Sequence, residues 1–157
     1  MFRLSKTLAL TAVAFAATIA LGRPAAAVPS GVDPGVVAAA DAEMNALSGH
    51  KVGAFLDAFV PDPVLVDDSE PFFIEGRPRL REWFVDFWSG ATSITLRHGP
   101  ATDYALRGGR AYIAFRFKIQ FTAPSGTFTA NGVWAGTFAR VSGDFWKISS
   151  LSIALLG

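Results

Sequence analysis

The stretch Asp62–Trp88, DPVLVDDSEPFFIEGRPRLREWFVDFW, sets the architecture. In its second half Leu80, Trp83, Phe84, Phe87 and Trp88 stand at i, i+3, i+4, i+7 and i+8, one broad aromatic face of a helix. Such a face must be buried against a sheet, at roughly 1.5–3 kcal/mol per large side chain. Gly76 opens this helix and Pro78 suits its first turn. Arg77, Arg79, Arg81, Glu82 and Asp86 take the other face, where a run of mixed charge reads as solvated surface. In the first half, Val64–Val66 and Phe72–Ile74 make two short strands around Asp67, Asp68, Ser69, Glu70 and Pro71, a turn-rich composition and a tight cluster of carboxylates in an apolar setting.

Upstream, Asp33 followed by Pro34 offers an N-cap and a first helical residue. Val36 or Val37, Ala40, Met44 and Leu47 then fall at helical spacing as far as Ser48-Gly49. A second helix is predicted from the stripe Val52, Phe55, Leu56 and Phe59, ended by Pro61 and Pro63, which lack the N–H to continue the ladder. Downstream of Ser93 the period changes from 3.6 to 2. Ser93–Leu106 reads as a strand with a bulge or kink at Gly99-Pro100, and Arg107-Gly108-Gly109-Arg110 as a hairpin turn. The next strand puts Ile113, Phe115, Phe117, Ile119 and Phe121 on one face, with Tyr112, Arg116, Lys118 and Gln120 on the other. Strands Thr127–Val141 and Phe145–Leu156 follow, and Gly132 and Gly136 mark a sharp bend in the first of these. The order predicts an α+β fold in which a curved antiparallel sheet wraps around three N-terminal helices in a cone.

Composition narrows the function. The 157 residues suit one domain, and half are hydrophobic, enough for a real core. Residues 1–27 have the build of a secretory signal: Arg3 and Lys6, an apolar run from Leu8 to Leu21, then Ala25-Ala26-Ala27. The run is shorter than the roughly 20 residues needed to span hydrocarbon. Cleavage is expected to leave a flexible lead-in at 28–35 and a single domain at 36–157, exported to the periplasm or beyond, with no membrane attachment. Outside residues 1–27 the chain carries 11 basic against 13 acidic residues, which gives no footprint for nucleic acid. There is no cysteine, so thiolate metal sites and cysteine nucleophiles are excluded. No HExxH or HxH pattern, phosphate-binding glycine loop or G-x-S-x-G is present, so neither a metal nor a cofactor is expected, and hydrolase, kinase and dehydrogenase chemistries have no support.

The succession of the helix ending near Phe59, the F-x-x-D-x-V entry at Phe59–Val64, the G-R-P-R-L-R-E-W-F helix start at Gly76–Phe84 and the closing F-W-K-I at Phe145–Ile148 resembles the nuclear transport factor 2-like superfamily. Within it the likeness is to SnoaL-like polyketide cyclases and ketosteroid isomerases, over about residues 36–156. The resemblance implies a cystatin-like roll whose sheet leaves an apolar pocket, often in a homodimer. Candidate lining residues are Phe55, Phe59, Phe73, Trp83, Phe87, Tyr104, Phe117, Asn131 and Trp134.

In members similar to ketosteroid isomerase, a general-base aspartate lies about nine residues before the glycine that opens the third helix. That role falls on Asp67, with Asp68 as its neighbour. Desolvation in an apolar pocket, and a second carboxylate nearby, would raise such a group's pKa toward the range useful for proton abstraction next to a carbonyl. The same two residues read equally well as the cap of a solvated turn. The resemblance also implies an oxyanion-stabilising tyrosine on the first helix and a protonated aspartate on a long strand. Here the first position falls near Glu43, and Trp134–Phe138 contains no acid, which leaves Tyr104, Tyr112 or Asn131 as alternative donors. His98, beside the predicted bulge, is a further acid–base candidate, although a structural histidine fits the position as well.

Two functions follow. The first is an exported domain that holds a small hydrophobic molecule or a protein partner without turnover. The second is an isomerase- or cyclase-like enzyme in which Asp67 takes a proton from a ketone or polyketide-like substrate. A homodimer through the open sheet face, carrying Arg116, Lys118 and Gln120, is compatible with both.

Overall fold

A computed structural model describes residues 31–68 and 72–156. The leader expected at residues 1–27, its expected cleavage site and the expected turn residues Ser69, Glu70 and Pro71 lie outside the described residues. The elements in chain order are α1 (Pro34–Ser48), α2 (Val52–Asp57), β1 (Phe59–Asp67), β2 (Phe73–Glu75), α3 (Gly76–Trp88), β3 (Ser93–Arg107), β4 (Arg110–Ala123), β5 (Gly126–Ser142) and β6 (Phe145–Leu156). The strands form one sheet in the order β2-β1-β6-β5-β4-β3.

Local chemistry explains most of these boundaries. The Asp33 carboxylate accepts from the Gly35 N–H at 2.8 Å and Pro34 starts α1, so one of the helix's orphan donors is satisfied at its N-terminus. The aromatic face of α3 is buried as its spacing demands, with Leu80, Trp83, Phe84 and Trp88 in the core and Phe87 half-buried. The Trp88 indole donates to Leu47 O at 2.9 Å and ties α3 to α1. His50, exposed at the α1–α2 junction, stacks on the same Trp88 ring at 4.4 Å.

The antiparallel meander β3-β4-β5-β6 follows the period-2 segments, and the register of β3 on β4 shifts between His98 and Ala101, at Gly99-Pro100. Alternation along β4 sends Ile113, Phe115, Phe117 and Ile119 to the helix side and Arg116, Lys118 and Gln120 to water. Gly132 and Gly136 lie on the helix side, where large rings press on them. The Phe117 ring covers Gly132, and a Cβ on Gly136 would stand 2.6 Å from Trp134 Cη2.

Expectations change in two places, β1 and the sheet. Phe59 belongs to β1 and not to the second helix, which stops at Asp57. Pro61 and Pro63 sit inside the strand, because its register on β6 jumps from Phe59↔Ile148 to Val64↔Ser150, and the skipped residues ask nothing of the missing proline N–H. Arg77, expected in solvent, braces this looped segment, with Nη2 donating to Phe59 O at 2.7 Å and Nε to Val60 O at 3.3 Å. Second, the sheet is mixed, since β1 pairs antiparallel with β2 but parallel with β6. This parallel pairing brings the end of β1, and Asp67 with it, beside the last strand.

Candidate functional site

Cross-strand register places a row of side chains over the helix side of the sheet. Asp67 pairs with Ile153, Ile153 with Trp134, and Trp134 with Phe115. Neighbouring strands are about 4.8 Å apart, so the backbones of Asp67 and Trp134 are separated by roughly 10 Å across Ile153. Asp67 is 6% exposed, and its Oδ2 accepts from the Trp83 indole N–H at 2.9 Å. The α3 stripe therefore supplies a donor to the β1 acid. A buried carboxylate with a directed donor is not a solvated turn cap, and this settles how the side chain is placed.

The second acid comes from α1. Glu43 is fully buried, and its Oε2 accepts from the Trp134 indole N–H at 3.2 Å, while Oε1 has no hydrogen-bond partner among the described residues. Burial pushes this carboxyl up to about 8, against the opposing effect of the Trp134 hydrogen bond. At neutral pH Glu43 is consequently a protonated acid, able to donate an O–H within the apolar interior. Of the alternative donors Tyr104, Tyr112 and Asn131, none serves the row. The Tyr104 hydroxyl accepts from the Asp33 backbone N–H at 3.1 Å, at the start of α1. Tyr112 lies on the outer side of β4, where burial and the nearby Asp103 raise its pKa. Asn131 pairs with Lys118 on that same outer side.

Glu43 stands where the resemblance implies a tyrosine, so its residue type alone does not mark it as a donor. The signal lay in the spacing. Val36, Ala40, Glu43, Met44 and Leu47 make one buried stripe at i, i+4, i+7, i+8 and i+11, and a carboxylate in such a stripe has to be neutralised or paired.

His98 prolongs the row. Its ring lies 4.4 Å from that of Phe115, which is 5.7 Å from Trp134. Nε2 is 2.7 Å from Asp41 Oδ1 and Nδ1 is 2.7 Å from Gly99 O. Both partners are acceptors, so the ring satisfies both only when each nitrogen carries a proton. The bulge at Gly99-Pro100 supplies the carbonyl, and α1 supplies the carboxylate two residues before Glu43.

The remaining candidates divide by position. Phe55 packs on Phe59 at 5.1 Å and on Trp83 at 6.0 Å, and Phe87 bridges Trp83 at 4.9 Å and Phe121 at 5.2 Å. With Phe117 and Trp134, these rings form the apolar surroundings of the acids. Phe73 is 56% exposed, on the opposite side of β2 from buried Ile74, and so lines no interior space. Exposed Asn131 is outside it for the same reason of strand parity. Asp68 is exposed and its carboxylate accepts from Leu155 N, which makes it a clasp between β1 and β6. No group of three or more His, Asp or Glu among the described residues is arranged to hold a metal ion.

No family model and no curated protein matches the chain. Its structure is similar to several solved ones. A candidate scytalone dehydratase from Novosphingobium aromaticivorans matches with a TM-score of 0.71 at 11% identity, over 79% of this chain and 83% of that one. A ketosteroid isomerase-like protein from Erwinia carotovora atroseptica matches with a TM-score of 0.69 at 13% identity, over 82% and 99%. A nuclear transport factor 2-like superfamily protein from Salmonella enterica serovar Typhimurium matches with a TM-score of 0.69 at 10% identity, over 80% and 91%. The chain has the nuclear transport factor 2-like fold.

Proposed function

We propose that the protein is an acid–base enzyme that moves a proton on the carbon next to a carbonyl of a small, uncharged, apolar substrate, as an isomerase or dehydratase does. Asp67 takes the proton. Glu43, neutral at physiological pH, donates a hydrogen bond to the carbonyl oxygen as negative charge develops there, which is the placement of a donor that counts most for the barrier. The observation that carries this reading is the protonated, fully buried Glu43 held by Trp134 in the same row as Asp67. The dehydratase and isomerase-like names of structures that share the fold agree with this chemistry. Because Glu43 is closed off from solvent, a substrate has to displace half-buried side chains such as Phe87, Phe121, Leu96 or Ile153 to reach it. We also propose that the protein acts after export, as the leader expected at residues 1–27 suggests.

The test is solvent deuterium exchange at the α-carbon of a panel of uncharged cyclic ketones, followed by NMR. Wild type should exchange at least one of them above background, and Asp67→Asn should lower that rate by about 10²–10⁴. The rate should fall as pH rises through about 8, where Glu43 ionises and its O–H is lost. Exchange unchanged in Asp67→Asn removes the reading.

A second reading, in which the domain holds a small hydrophobic molecule or a protein partner without turnover, is favoured by the closure of Glu43 under packed aromatic side chains. Native mass spectrometry of protein from its exported fraction, with a retained molecule and no exchange on any ketone, would select it.

A further inference from the structure

The outer side of the sheet, away from the acids, carries a cluster of unneutralised positive charge. Arg97 of β3 stands directly opposite Lys118 of β4, and Lys118 is opposite Asn131 of β5, which in turn is opposite Leu156 of β6. Arg116 is two residues from Lys118 on the same side. Directly opposed side chains have Cβ atoms about 4.5–5.5 Å apart, and like charges so placed repel. None of the three cations forms an ion pair among the described residues, where the ion pairs are Arg79–Glu82, His98–Asp41 and Arg140–Asp33.

The surface there is concave. A depression of about 370 Å³ is lined by Thr95, Arg97, Lys118 and Gln120. It shares Arg97 and Lys118 with an adjoining depression of about 550 Å³, whose lining includes Arg116, Asn131 and Leu156. Among the described residues, neither lining contains a carboxylate. Three cations, two amides and a hydroxyl therefore converge on a hollow of small-molecule size with one apolar wall, while the chain outside its leader is net acidic.

We propose that this hollow is an oxyanion-binding site, taking the phosphate, sulfate or carboxylate group of a small anionic molecule between Arg97, Lys118 and Arg116, with its apolar part against Leu156. An oxyanion removes the Arg97–Lys118 repulsion, and it accepts charge-assisted hydrogen bonds from the arginine forks and neutral ones from Asn131 and Gln120. The site is independent of the acid–base row, because strand alternation puts the two on opposite sides of the sheet.

The test is an amide NMR titration of the wild-type protein with inorganic phosphate at low ionic strength, with sodium chloride at matched ionic strength as the control. The expected result is a saturable shift confined to residues 95–99, 116–120 and 129–133, with a Kd on the order of 1 mM for this minimal probe. Arg97→Gln and Lys118→Gln, both exposed, should each weaken it by about fivefold or more. Shifts that chloride reproduces, that never saturate or that survive both substitutions overturn the proposal. So does flotation with vesicles containing about one quarter phosphatidylglycerol without saturable phosphate binding, which would mark a membrane surface instead. A sedimenting dimer whose outer sheet amides do not respond to phosphate would assign the face to a second copy.

Discussion

The two sides of the sheet treat charge in opposite ways, although on β4 they are one residue apart. Phe115 and Phe117 face the helices, while Arg116 and Lys118 face water. On the helix side, each buried acid is either neutralised or given a donor. Glu43 gives up its ionised form, and Asp67 keeps an indole donor. On the water side, three cations stay together with no carboxylate paired to them among the described residues, since solvent screens what the interior does not. The difference teaches that strand parity assigns each residue its dielectric, and the dielectric then decides which protonation state and which chemistry that residue can offer.

The contrast breaks most visibly if Trp134 is removed. This fully buried ring fills the space over Gly136 and donates to Glu43. Trp134→Ala should cost about 3–5 kcal/mol in urea unfolding through the cavity it leaves. Trp134→Phe keeps most of the volume but takes away the N–H, and the unsatisfied buried acid should cost about 1–3 kcal/mol. A loss under 1 kcal/mol for the alanine variant would mean that the helix side is not tightly packed at this row.

Glu43 sharpens the comparison through pH. Its pKa is raised from 4.5 to about 8 in the folded protein, so between those values the folded state holds a proton that the unfolded state has released. Stability from this group is therefore greatest below about pH 4.5, declines by about 1.4 kcal/mol per pH unit up to about pH 8, and is level above it. Glu43→Gln, which is neutral throughout, should remove that slope. Chemical denaturation of both proteins at several pH values gives the difference directly, and parallel profiles would show that Glu43 is not held protonated.

The parts of the fold that were legible in sequence depend on near neighbours along the chain. The α3 stripe, the period-2 meander and the bulge at Gly99-Pro100 all follow from residues a few positions apart. The parallel β1–β6 pairing was not legible, because Leu65 and Leu151 meet through closure of the whole chain. The strand position of Phe59 is not legible because its ring continues the α2 spacing, and two prolines read as a helix stop where the structure uses them in a looped strand segment. Of the two buried acids, the resemblance points to Asp67 and not to Glu43, because it implies a tyrosine at that position. The parity of Asn131 was available all along: it lies three residues from Trp134, and positions three apart on a strand face opposite ways.

The smallest expected effect tests the outer side. If Arg97, Arg116 and Lys118 are solvated and mutually repelling, Lys118→Gln removes a repulsion and buries nothing new, so stability should stay within about 0.5 kcal/mol of the parent, with any change upward. The gain should shrink as salt is added, because screening already weakens the repulsion. If a second copy packs on this face, Lys118 loses contacts as well as charge, and the variant should become less stable in a manner that depends on protein concentration. Urea unfolding at two protein concentrations and two salt concentrations separates these cases. A concentration-independent loss above 1 kcal/mol would mean that the outer side is packed within the monomer, and the contrast between the two sides of the sheet would no longer hold.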